Sequence, residues 1–152
     1  MPEHAPRKHS PGRTPLPDRR PGETRKLTWA GQSVFVTIGY GADHMTPLEI
    51  FYDSGYRSGS DMEALVSDLC IALSVMLQHE GVTAASLARS MSRAFDLRTG
   101  AEKPASILGL LLEEIERPPA WSADLANRMR EEKAQVSDPD PDHQDGEAPR
   151  DV

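Results

Sequence analysis

The chain is short of the side chains that most reaction chemistry needs. It has a single cysteine, Cys70, so no disulfide can close within one copy, and a reducing cytosol is its natural setting. Cys70 is flanked by Leu69, Ile71, Ala72 and Leu73 with no basic neighbour, which predicts a buried, inert thiol and not a nucleophile. The histidines are His4, His9, His44, His79 and His143, none at i, i+4 with another ligand, so neither a metal site nor a catalytic residue is expected. Paired carboxylates occur at Glu113 and Glu114, on a helix face that reads as solvated. No apolar run is long enough to span a membrane. The first residues carry charges and prolines where a signal peptide needs an apolar stretch. The expectation is a soluble, cytoplasmic protein that makes no membrane contact.

Charge and proline are unevenly spread. Residues 1–26 hold six prolines and seven basic side chains, and residues 137–152 hold six acidic side chains with one arginine. Both segments lack an apolar period and are expected to be disordered, a basic head and an acidic tail. The net charge of −7 thus divides into about +4, −6 and −5 for head, body and tail. A basic head can touch nucleic acid or an acidic partner, but a solvated arm is the simpler reading.

The body, residues 27–117, is organised around the run from Pro47 to Glu80. Leu48, Ile50 and Tyr52 share one face of a strand by period two. Ser60 and Glu63 form an S-x-x-E capping box, and Met62, Leu65, Val66, Leu69, Ala72, Leu73 and Met76 repeat at helical spacing. Ile71, Val75 and Leu77 widen that stripe until the second half of the helix reads as apolar nearly all round and buried. Before it, Leu27–Ala30 is β-prone and Ser33–Tyr40 is the clearest strand, with Val34, Val36, Ile38 and Tyr40 on one face. After it, Gly81 supplies a left-handed position, and His79 suits the negative end of the helix. Thr83 caps a second helix from Ala84 to about Ala94. Pro104 suits the first turn of a third, ending near Ile115, in which Gly109 implies a close helix contact. A marginal charged helix within 118–136, about Ser122 to Gln135, has Leu125 and Met129 as a thin apolar edge. The fold class is α+β: a small antiparallel meander packed against a long buried helix and two to three further helices.

Two stretches carry candidate sites. The turn Arg57-Ser58-Gly59-Ser60 places an arginine beside the free N–H groups of a helix start, an anion- or nucleotide-binding arrangement, although Ser60 is also the expected cap. The stretch Gly81–Arg89 has the cadence of a helix-turn-helix entry, with Arg89, Arg93 and Arg98 set to face a phosphate backbone. The acidic body argues against that use, and nucleic acid is not the expected partner.

The order strand, loop, Pro47-Leu48-Glu49-Ile50-Phe51, then Ser58-Gly59-Ser60-Asp61 and a Leu/Ala helix resembles the TSCPD domain. The residues beyond that helix fit the same pattern: Gly81-Val82-Thr83, a short helix and Pro104-Ala105-Ser106-Ile107. That domain lies at the C-terminus of adenosylcobalamin-dependent (class II) ribonucleotide reductases and also stands alone. The Thr-Ser-Cys-Pro-Asp string of the family is absent, with Ser106-Ile107 near its place. The barrel, cobalamin site and cysteine pair of the reductases have no counterpart in about 90 ordered residues. The resemblance therefore implies a non-catalytic accessory or regulatory module in deoxyribonucleotide synthesis and DNA replication. The cofactor belongs to the full-length reductases, and the partner is a reductase or a second copy of the chain. The alternatives are a DNA-binding regulator that uses the Thr83 helix, and a structural or assembly protein.

Overall fold

The computed structural model describes residues 12–136; the expectations for residues 1–11 and 137–152 lie outside the described residues. Of the described residues, 12–119 form one compact unit and 120–136 belong to a second.

In the first unit, β1 (Gly22–Trp29), β2 (Gln32–Tyr40) and β3 (Pro47–Ser54) pair in chain order as an antiparallel meander. Trp29 pairs with Gln32, so Ala30 and Gly31 alone make the first turn. Both have positive φ, 48° and 79°, as a two-residue hairpin whose twist matches its strands requires. Period-two alternation then puts Val34, Val36, Ile38 and Tyr40 of β2 inside with Leu27, Leu48 and Ile50. β1 begins earlier than the sequence suggests. Its first half, Gly22 to Lys26, alternates between intermediate and exposed positions and carries no apolar signal. It is held by its ladder to Phe35–Gly39. Ahead of it, Arg13 bridges to His79, and Thr14 N–H donates to Gln78 O at 2.6 Å. Residues 12–26, expected in a disordered head, therefore belong to the folded unit.

α1 (Asp61–Leu77) packs along β3. Only one side of it is buried, through Val66, Cys70, Leu73 and Leu77. The expected all-round burial of its second half is not found, since Ile71 is 60% exposed. The reason is that the small sheet supplies a single surface. Ser74 Oγ accepts from Ile50 N–H at 2.8 Å and lies 3.0 Å from Ile50 O, and Gln78 Nε2 donates to Leu48 O at 3.1 Å.

α2 (Ala84–Ala88) is five residues long, capped reciprocally by Thr83 and Ser86. The expected helix to Ala94 gives way to a hairpin, β4 (Arg93–Phe95) with β5 (Glu102–Pro104). Its loop is closed by Asp96, which accepts from Arg98 N–H and Gly100 N–H, with Gly100 at φ 67°. Pro104 thus ends a strand, and Ser106 caps α3 (Ile107–Glu116). The close neighbour of Gly109 is Pro104, not a helix: a Cβ there would lie 3.0 Å from Pro104 Cβ. Ile107, Leu111, Leu112 and Ile115 complete the core. In the second unit, α4 (Ser122–Val136) matches the expected charged helix.

The C-terminal end of α3 is tied to the sheet by Arg25, whose side chain is only 10% exposed. Its guanidinium donates to Glu23, to the Tyr40 hydroxyl and to the carbonyls of Glu114, Arg117 and Pro118. Arg25→Ala is expected to cost about 3 kcal/mol, because Glu23 and those acceptors lose their donor together; equilibrium urea unfolding measures it. Ala30→Asn is expected to raise stability by about 1 kcal/mol in the same assay, because asparagine tolerates the left-handed region better than alanine.

Candidate functional site

The Arg57–Ser60 turn lies at the start of α1. Ser60 Oγ accepts from Glu63 N–H at 3.2 Å, as an N-cap does. The capping box is displaced by one residue. Ser60 N–H is taken by Arg57 O, so the Glu63 carboxylate reaches Gly59 N–H instead, at 2.5 Å. Gly59 has φ 76°, which turns that N–H toward the helix. An internal carboxylate thus occupies part of the anion cradle, while Arg57 and Ser58 remain exposed.

A wider depression than this turn lies elsewhere in the first unit, on the outer face of the sheet. Asp18 to Gly22, Thr37, Gly39, His44, Glu49 and Phe51 line an open hollow of about 770 Å³. That volume is in the range of ligand sites, but its two inner charged groups are engaged with one another. Arg20 holds the buried Glu49 through both carboxylate oxygens, the second at 3.1 Å, and also donates to Pro17 O. Gly39 makes room for this pair, since a Cβ at that position would come within 2.5 Å of Glu49 Oε1.

Cys70 is buried on the inner side of α1, and burial pushes its thiol up to about 12. Among the described residues no group of three or more His, Cys, Asp or Glu side chains is placed to hold a metal ion. No described helix is long and apolar enough to cross a membrane. The three arginines of the helix-turn-helix reading do not share a helix. Arg89 follows α2, Arg93 on β4 pairs with Glu113 and Glu102, and Arg98 lies in the hairpin loop.

Two exposed apolar features escaped the sequence reading. On the β4–β5 hairpin, Phe95 is 64% and Leu97 97% exposed. The hairpin is not loose: Arg93 fastens its base to Glu113 of α3, and Asp96 organises its tip. On the outward side of α1, Leu65, Ile71, Val75 and Met76 are all exposed. A narrow apolar groove adjoins them, lined by Leu69, Ala72, Met76, Leu87, Met91 and Leu108 among others. Strong apolar periodicity assigns the α1 residues to the core. Leu97 had no signal beyond its polar, Gly-containing loop.

Comparison with models of known families, with curated proteins and with solved structures finds no match.

Two measurements check this geometry. Ser60→Ala is expected to lower stability by about 1 kcal/mol, whereas Arg57→Ala leaves it unchanged. Cys70 is expected to resist alkylation in the native state at mildly alkaline pH and to react at once in denaturant. With its folded value raised, the thiol's contribution to stability is full below the unfolded value of roughly 8.5 and is lost as pH rises toward about 12. Cys70→Ala should flatten that alkaline decline.

Proposed function

We propose that this chain is an accessory or regulatory module that works by protein–protein contact and presents the β4–β5 hairpin to its partner. The observation that supports the reading is a nearly fully exposed leucine, with a phenylalanine two residues before it, on a hairpin fastened at its base and closed at its tip. Exposed single apolar residues are ordinary. A rigid projection that carries two of them is better suited to insertion into a partner's pocket, because little side-chain or loop entropy is lost on docking. The only thiol is buried, and the inner charges of the large hollow are paired with each other, so neither favours a reaction over a contact.

The resemblance of residues 27–117 to the TSCPD domain supplies the class of partner. It is a ribonucleotide reductase of the adenosylcobalamin-dependent kind, and the chain serves deoxyribonucleotide supply. In this reading the cobalamin is bound by the reductase. Arg57 and Ser58, exposed at the start of α1, offer a second point of contact for an acidic group or a nucleotide phosphate.

The test is a pull-down from the native cell with the full chain as bait, probed for the reductase, beside the same bait carrying Leu97→Asp. Position 97 is exposed, so the variant folds like the parent by circular dichroism. Retention of reductase by the parent and its loss with the variant is expected. Absence of reductase from the parent bait, or equal recovery with both, overturns the proposal.

A further inference from the structure

We infer that the free edge of β1 is a docking site for an extended, acidic segment of another protein, which joins the sheet antiparallel beside it. Both ends of the β1–β2 ladder fix which backbone groups face that edge. A two-residue turn makes the residues that flank it, Trp29 and Gln32, a hydrogen-bonded pair. At the other end Tyr40 N–H donates to Pro21 O at 3.0 Å, which keeps the same alternation. Glu23, Arg25 and Leu27 thus spend their backbone groups on β2. Gly22, Thr24, Lys26 and Thr28 turn theirs the other way. All four residues are exposed. Among the described residues, nothing outside β2 bonds to the backbone of Gly22–Trp29.

Edges of this kind are ordinarily blunted by shortness, by an internal proline, by a bulge or by a covering helix. β1 is eight residues long, against about five or six for most strands. Its proline, Pro21, stands just before it. Its ladder to β2 runs unbroken over eight pairs, and both irregularities of the sheet fall between β2 and β3. The β3 edge shows the contrast, since Ser74 and Gln78 serve its backbone there.

A row of outward N–H and C=O groups is matched in full by one chemistry, another extended backbone. The side chains of that backbone are selected by the outer row of β1. A residue that pairs with Lys26 places its side chain on the same face of the sheet. Lys26 lies across from Phe35 on β2, and no described carboxylate forms an ion pair with it. Glu23, the acid of its own strand, alternates to the inner face and is held by Arg25 at 2.7 Å. An acidic residue opposite Lys26 therefore supplies the missing counter-charge, and β-branched residues opposite Thr24 and Thr28 suit a pleated row. A second copy of β1 fits less well in any register, because it brings a second uncompensated Lys26 to the same ladder.

The probe is the capped peptide acetyl-Thr-Val-Glu-Val-Thr-amide, titrated into the isotopically labelled full chain and followed by NMR. In the free chain the amides of Thr24, Lys26 and Thr28 should exchange quickly with solvent, and those of Arg25 and Leu27 slowly. The peptide should shift the three outward signals together and saturably, and slow their exchange at least about tenfold. Lys26→Pro removes one outward N–H and no bond to β2. It should leave the circular dichroism spectrum unchanged and abolish binding. Lys26→Glu keeps the N–H and should weaken binding of this peptide about threefold, while favouring the same peptide with lysine in place of glutamate. Outward amides already protected in the dilute free chain, or protected as protein concentration rises without peptide, overturn the inference, the latter in favour of a second copy. So do silence of these amides up to millimolar peptide and equal binding by the proline variant. Leu97→Asp lies on the hairpin and should leave peptide binding intact. Failure here is thus read separately from failure of the reductase contact.

Discussion

A sheet of three strands has two free edges, and the fold depends on how one of them is closed. The backbone groups of β3 on the side away from β2 would be left without partners beneath a helix, where water cannot serve them. Ser74 meets both groups of Ile50 and Gln78 meets the Leu48 carbonyl. Two polar side chains, Ser74 on α1 and Gln78 at its C-cap, thus act as a fourth strand at the places that matter. The oxygen of Ser74 accepts from Ile50 N–H, and its single proton is shared between Ile50 O at 3.0 Å and Cys70 O at 2.8 Å within its own helix, which keeps the hydroxyl aimed along the edge. The helix is therefore registered against the strand by hydrogen bonds as well as by Val66, Cys70 and Leu73. That registration fixes which side of α1 faces outward.

The other fastenings are charged and lie at the boundaries of the apolar core. Arg25 joins the first strand to the end of α3 on the inner face, and Arg20 joins the preceding segment to β3 on the outer face. Both work by gathering acceptors at the margin of the core: carbonyls at and beyond a helix end in one case, a buried carboxylate in the other. The result is a small domain whose hydrophobic contacts are central and whose ends are clasped by guanidinium groups.

Much of the architecture was legible in the chain. The meander, the inner face of β2, the caps at Ser60 and Thr83, the glycine after α1 and the buried cysteine all follow from spacing and residue type. The departures have definable causes. An arginine on a strand reads as exposed, so the inward-facing Arg25 concealed the first half of β1. Apolar richness reads as burial, yet Ile71 and Val75 have no second layer to pack against. The segment Arg93-Ala94-Phe95 is short, with a single β-prone residue, and only the Asp96 and Gly100 pair marks the turn that makes it a strand. Of the candidate site, the Arg57–Ser60 turn was found in its expected place, though its glutamate caps a different N–H. The hollow over Glu49 gave no signal, since its parts come from three separate stretches of sequence.

The notch at Gly39 shows how far the domain extends in both directions. By giving up its side chain, this residue lets the Glu49 carboxylate lie flat against the sheet, where the arm running from Gly12 to Pro21 reaches over and neutralises it. A chain shortened to the hydropathic core at Leu27 would deprive Glu49 of its guanidinium partner and remove five of the eight residue pairs of the outermost ladder. The smallest autonomous piece therefore starts well upstream of Leu27, and trimming by hydropathy alone would cut through the domain.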